Sequence, residues 1–365
     1  MTRPVAMSAE SLAVFPPDYR AARAQIQMLA QDCAVLEDKV EYAIDTIAGI
    51  EGEQLVTDVL WLGPRSAQNV VVLISATHGV EGFVGAAAQV DLLRRIAQGF
   101  QLPAETAVLI IFALNPYGFS WCRRCDEAGI DLNRNFIDFE QALPQNTGYT
   151  QLQAAIYNPD AIQRQQLFDD FRAQHGQTAY EVAISGGQYS DPSGPFYGGQ
   201  AAAHGRRVIE QVIAHYSLAG RRLAVIDIHS GLGPYAHGEV INDHPLDSHG
   251  YHVAHRWYGA SVTTPESGDS SSVMKLGLLD YCWHELMASA GCYVTLEFGS
   301  YPTQVLFDVV LQDHRSWKSG DARAKAASAR DMLAHFCPQD VYWRELVLVK
   351  ARQVFQQALD GLTHG

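Results

Sequence analysis

Charge and sulfur are both scarce in this chain of 365 residues: 18% of positions are charged and only six are cysteine. Positive charge is scarcest, with 26 Lys and Arg against 40 Asp and Glu and a formal net charge of −14. A surface of that sign repels phosphate backbones and anionic headgroups, so neither nucleic acid nor a membrane surface is expected as the main partner. No eighteen apolar residues run together, so no membrane-spanning segment is expected. The amino terminus, "MTRPVAMSAESLAVFPPDY", has no sustained apolar core and does not read as a signal peptide. The few cysteines do not form a disulfide framework and are expected as reduced thiols, which suits the cytoplasm. Cys122 and Cys125 make one C-x-x-C with no second pair at zinc-ribbon spacing, so it reads as a chance pair. G-x-S-x-G and the P-loop are both missing, which argues against a serine hydrolase of the elbow type and a P-loop nucleotide enzyme.

A composition 47% hydrophobic is ample for a large core. Residues 18–48 are rich in Ala and Gln and predict one or two helices. "LVTDVLWLG" from Leu55, "NVVVLISA" from Asn69 and "AVLIIFALN" from Ala107 predict strands; the last two are nearly continuous apolar runs, as in strands covered on both faces. The helical segment 84–100 between them implies a parallel crossover. Residues 138–200, rich in Gln, Asn, Tyr and Gly, read as an insertion with a helical patch near 160–173. Further on come a helix in "AHGRRVIEQVIAHYSLAG", a strand in "RRLAVIDIHSG", helical patches at 245–261 and 278–290, a strand in "GCYVTLEFG", and a mostly helical tail at about 311–361. The expectation is one α/β domain over 1–365, a mostly parallel mixed sheet with helices on both faces.

Chemically useful residues gather where strands end. His78 and Glu81 stand in "ATHGVEG" after the second run, Arg123, Arg124, Asp131, Asn133 and Arg134 follow the third, His229 ends another strand and Glu297 the last. In open parallel sheets, ligands bind beyond the carboxyl ends of the strands. Two imidazoles and a carboxylate can hold zinc and leave a fourth position for water. The arginines suit forked recognition of a carboxylate. Two weaker signals stand apart. Gly231, Gly233 and Ala236 spell G-x-G-x-x-A after a strand, but Pro234 interrupts the glycine turn. His244, His249, His252 and His255 crowd one segment and read as surface or pocket-rim residues.

"ATHGVEG", "NPYGF…RRCDEAGIDLNRNF", "DIHSG" and "VTLEFG" occur in the order used by zinc metallocarboxypeptidases of the carboxypeptidase A type, and the chain resembles that superfamily. It is also similar to the aspartoacylase and succinylglutamate desuccinylase group. The segments "GQYSDPSGPFYGG", "DIHSGLGPYAHGE" and "CPQDVYWRELVL" resemble a bacterial branch labelled only as a domain of unknown function, which extends the likeness over nearly the whole chain. The resemblance implies a zinc carboxypeptidase-like fold and Zn2+ held by His78, Glu81 and His229. It implies Asp131 as the carboxylate orienting the first ligand histidine, and Asn133 and Arg134 as the grip on a substrate carboxylate. Arg124, or its neighbour Arg123, would face the oxyanion, and Glu297 would be the general base. The family's mobile tyrosine has no clear counterpart; Tyr281 and Tyr258 are the candidates. The activity implied is hydrolysis of an amide beside a free carboxylate in a small peptide. The alternatives are an N-acyl amino acid deacylase and a non-catalytic metal-binding relative.

Overall fold

The computed structural model describes residues 12–287 and 290–364. Most of the amino-terminal stretch lies outside them, as do residues 288–289 of the helical patch expected at 278–290. Seven strands form one mixed sheet in the order β1-β2-β4-β3-β5-β7-β6. They are β1 (Leu36–Ala48), β2 (Gln54–Leu62), β3 (Asn69–Ser75), β4 (Thr106–Phe112), β5 (Arg222–Ser230), β6 (Gly238–Ile241) and β7 (Gly291–Phe298). The central four, β4-β3-β5-β7, are parallel. Antiparallel β2 and β1 close one side and antiparallel β6 the other. Every residue of β4 is buried, as the unbroken apolar run requires of a strand covered on both faces.

Helices cover both faces. In chain order they are α1 (Tyr19–Asp32), α2 (Gly82–Ala97), α3 (Pro116–Ser120), α4 (Thr147–Ile156), α5 (Ala161–His175), α6 (Gln177–Ser185), α7 (His204–His215), α8 (His249–Tyr258), α9 (Asp280–Leu286), α10 (Thr303–Ser319), α11 (Ala322–Phe336) and α12 (Val341–His364). One layer, with α1, α2, α8 and α12, packs Ile26, Val84, Trp257 and Phe355 with the strand residues Leu73 and Ile226. The opposite layer buries Val208, Ile209 and Trp283 with Val72 and Val225. A third cluster joins α4–α6 to α10 and α11 through Tyr149, Phe168, Phe307 and Phe336, and this is where residues 138–200 attach.

The segment 18–48 departs from the helical expectation. Asp18 caps α1 by accepting from Ala21 N, but the helix stops at Asp32 and Leu36–Ala48 is the longest strand. "LEDKVEYAI" alternates, with Leu36, Val40 and Tyr42 turned toward the protein and Glu37, Lys39 and Glu41 exposed. That period of two outweighs the helix-favouring composition once an edge partner, β2, is present. The short strand β6 and helices α3, α4 and α6 were not evident in the sequence. No described helix is long and apolar enough to cross a membrane.

Candidate metal centre and cleft

The ends of β3, β5 and β7 bring four side chains to one edge of the sheet. His78 follows β3, Glu81 ends a 3-10 turn at Gly79–Glu81, and His229 and Glu297 face each other in register on β5 and β7. The turn is held by pairing with the loop after β4: Gly79 N donates to Arg124 O at 3.1 Å and Val80 N to Arg123 O at 2.8 Å. Gly79 is required there, because a Cβ would stand 2.0 Å from the carbonyl carbon of Gly118. That contact sets His78 and Glu81 against Arg124.

His78, Glu81 and His229 form one buried triangle. His78 Nδ1 lies 2.8 Å from Glu81 Oε1, His229 Nδ1 lies 3.0 Å from Glu81 Oε2, and the two Nδ1 atoms are 3.1 Å apart. Among the described residues this is the one group of three such side chains close enough to hold a metal ion. Zinc with bonds of about 2.0–2.1 Å at tetrahedral angles spaces its ligand atoms by about 3.3 Å, so the triangle fits the ion. Each outer nitrogen faces a carboxylate: His78 Nε2 lies 3.2 Å from Asp131 Oδ1, and His229 Nε2 lies 2.7 Å from Asp227 Oδ2. A carboxylate there holds the proton on Nε2 and leaves the Nδ1 lone pair for a cation. Arg124 Nη2 stands 2.6 Å from the same His78 nitrogen and asks for the opposite tautomer. The Asp131 arrangement is the one that frees all three inward atoms at once.

Asp227 was not singled out in the sequence, although "DIH" places it two positions before His229 on the same strand face. It also accepts from Thr77 Oγ1 at 2.8 and 3.0 Å and from Tyr293 Oη at 2.8 Å. One carboxylate thereby ties the residue beside His78 to His229. Electrostatics follow the geometry. Burial raises the Glu81 carboxyl, yet His78 and His229 outweigh it and hold the group below the usual carboxylate range. Burial likewise works against a charged His229, but Asp227 and Glu81 raise it well above an ordinary histidine. Asp131, buried, is kept well below the carboxylate range by Arg124 and His78. Burial and the Glu81 charge push Glu297 up to about 8; a divalent cation at the triangle acts in the opposite direction. Glu297 Oε1 accepts from Leu232 N at 3.0 Å.

Beside the triangle is a cleft lined by Arg124, Asn133, Arg134, Phe196, Lys275 and Glu297 among others. Of the adjacent arginines, Arg124 faces the site, donating to Asp131 Oδ2 at 2.9 Å and approaching Glu81 Oε1 at 3.4 Å. Arg123 turns away to Asp313, at 2.9 Å, and stacks on Trp317. Asn133 Oδ1 accepts from Leu279 N at 2.8 Å, while the fully buried Arg134 donates to Ser185 O at 2.6 and 3.2 Å. The Phe196 ring centre is 4.9 Å from the Arg124 guanidinium and 5.8 Å from that of Arg134.

Neither candidate tyrosine borders the cleft. Tyr281 Oη donates to Lys275 O at 3.1 Å, and Tyr258 is buried on α8. The G-x-G-x-x-A segment runs through a loop between β5 and β6 with no helix, so it lacks the helix N-terminus that cradles a dinucleotide phosphate. Within the histidine cluster, His244 is buried, stacks on His284 at 3.7 Å and accepts from Tyr293 N at 3.0 Å, so it is no rim residue. The cysteines are all unbridged, Cys122 and Cys125 included.

Among solved structures, the fold is similar to carboxypeptidase A from Helicoverpa armigera, with 18% identity, a TM-score of 0.48, and 88% of this chain and 74% of that one covered. A protein assigned to the succinylglutamate desuccinylase/aspartoacylase family from Shewanella amazonensis matches at 16% identity and TM-score 0.36, covering 82% and 72%. The murein-tripeptide amidase of Escherichia coli O157 matches at 14% identity and TM-score 0.35, covering 93% and 100%. No curated relative matches the sequence. One family model spans residues 15–350, from before α1 into α12, with every residue of the triangle and cleft inside it. The chain belongs to that family, described as a protein of unknown function, DUF2817.

Proposed function

We propose that this protein is a zinc-dependent hydrolase that cleaves an amide bond beside a free carboxylate. The observation that carries this reading is the convergence of His78, Glu81 and His229 at 2.8–3.1 Å, with Glu297 across from His229 on the next strand. His78, Glu81 and His229 would hold the ion. Zinc, when bound, supplies Lewis acidity and lowers the pKa of a water toward neutrality.

The chain's own groups do the remaining work. Glu297 takes the proton of the attacking water and delivers it to the leaving nitrogen. Arg124, fixed by Asp131, presents positive charge where the carbonyl oxygen becomes anionic. Arg134 and Asn133 orient the substrate carboxylate at the cleft wall. Phe196 and the buried surroundings exclude water, which strengthens each of these interactions.

The named structural neighbours include a carboxypeptidase and an amidase, so peptides and N-acyl amino acids are the substrates to compare. The test is metal analysis of purified protein, with a hydrolysis screen over both classes. One zinc per chain and hydrolysis abolished by a chelator are expected. A protein that takes up no zinc and hydrolyses neither class refutes the reading.

A further inference from the structure

The cleft holds more positive charge than the proposed chemistry uses. Arg134 spends its guanidinium on neutral carbonyl oxygens, Ser185 O at 2.6 and 3.2 Å and Asn133 O at 2.5 Å. No carboxylate of a described residue lies within 4 Å of it. Lys275 also lines the cleft, and its ammonium donates to Ser272 Oγ with no ion-pair partner among the described residues. Arg134 is fully buried and Lys275 half-buried; a cation shielded from water without a counter-charge is costly, and an anionic ligand lowers that cost.

These two cations are neighbours by construction. Asn133 Oδ1 accepts from Leu279 N at 2.8 Å, Phe136 N donates to Gly277 O at 3.1 Å, and Leu276 N donates to Gly186 O at 3.1 Å. Gly277 has φ 73, and a Cβ there would stand 2.3 Å from Arg134 O. The loop that carries Lys275 is therefore pressed onto the segment that carries Arg134. Its other end is pinned to β6 by Glu239 Oε1, which accepts from Ser270 Oγ at 2.8 Å and Ser271 N at 3.1 Å. Ser271 and Ser272 line the cleft beside Lys275 and add hydroxyl donors.

Besides Glu81 and Glu297, two carboxylates line the cleft: Glu181 on α6 accepts from Gln177 Nε2 at 2.7 Å, and the other, Asp243, has no ion pair within 4 Å among the described residues. Burial raises its pKa, which weakens it as a counter-charge to Lys275. Burial and Arg134 lower Lys275 only to about 8, so it stays cationic at neutral pH.

We infer that Lys275, with Ser271 and Ser272, is a specificity site for a second carboxylate, so that the preferred substrates release a residue with an acidic side chain. This rests on the proposed hydrolase reading, with Arg134 taking the first carboxylate. Tyr281, whose hydroxyl holds the Lys275 carbonyl, is a positioning residue for it.

The experiment is calorimetric binding of product-like ligands to zinc-loaded protein, comparing glutamate with its uncharged counterpart glutamine, and aspartate with asparagine. A charge-assisted hydrogen bond predicts that each acid binds about tenfold to a hundredfold more tightly than its amide. Lys275→Met should erase that preference by weakening the acid about tenfold or more and the amide less, and Lys275→Glu should favour lysine over glutamate. A Lys275→Met protein that folds, takes up zinc and keeps the wild-type acid-to-amide ratio overturns the inference alone, as does equal wild-type binding of acid and amide. Absence of binding by all four ligands, together with absence of hydrolysis, overturns the hydrolase reading as well.

Discussion

The metal end and the substrate end of the cleft are built by different rules. At the metal end the triangle and its supports are paired charge to charge: His78 has Glu81 and Asp131, His229 has Glu81 and Asp227, and Arg124 has Asp131. Thr77 and Tyr293 complete the Asp227 carboxylate. At the substrate end Arg134 meets only carbonyl oxygens and Lys275 only a hydroxyl. The first region is satisfied by the chain itself and its inward lone pairs await a cation. The second is left open in charge, and a ligand must complete it. A self-satisfied network stays rigid, whereas an open one leaves room for selectivity.

The largest effect should come from breaking the metal end. His229→Ala removes one ligand, and metal analysis of the folded protein should fall from one zinc per chain to a small fraction, with hydrolysis at background. Full zinc content in that variant removes His229 from the ligand set. Next is Glu297→Gln, which keeps size and the Leu232 contact but cannot accept the proton. Zinc should stay stoichiometric while turnover drops by about 10²–10⁴-fold; unchanged turnover ends the role of Glu297 as base.

Asp227→Asn probes the clamp behind His229. Competition with a chelator should show zinc affinity about 10–100-fold weaker. An unaltered affinity makes the Thr77–Asp227–Tyr293 cluster a packing feature only. The smallest effect is expected at the other end. Glu239→Ala frees the loop around Ser270 and Ser271, and should raise KM by roughly tenfold, the scale of a lost charge-assisted hydrogen bond. Zinc content should be unchanged; a fall in bound zinc erases the separation between the two ends.

The two ends also differed in how far they could be read without coordinates. His78 and Glu81 sit in one short turn after an apolar run, and His229 and Glu297 end two more such runs, so strand-end placement exposed them together. Asp227 stands in "AVIDIHS" two positions before His229, but its role as the carboxylate behind that histidine shows only once its partners Thr77 and Tyr293 are in place. Lys275 lies in a serine-rich loop that reads as solvated, and its place in the cleft depends on Gly277 packing against the Arg134 backbone. The tyrosine candidates show the same limit: Tyr281 is near in sequence, but its hydroxyl is committed to the Lys275 carbonyl and does not line the cleft. Residues 36–48 failed differently, because their alternation became decisive only with β2 alongside.

Local pattern by itself determined the buried strands, the crossover and the residues at their carboxyl ends, since apolar periodicity and chain direction are short-range properties. Tertiary structure alone decided which carboxylate orients His229, which of two adjacent arginines faces the site, and which cations border the cleft. Those choices depend on contacts between segments as far apart in the chain as residues 77 and 227, or 134 and 277, and no short-range pattern carries the geometry of such a meeting.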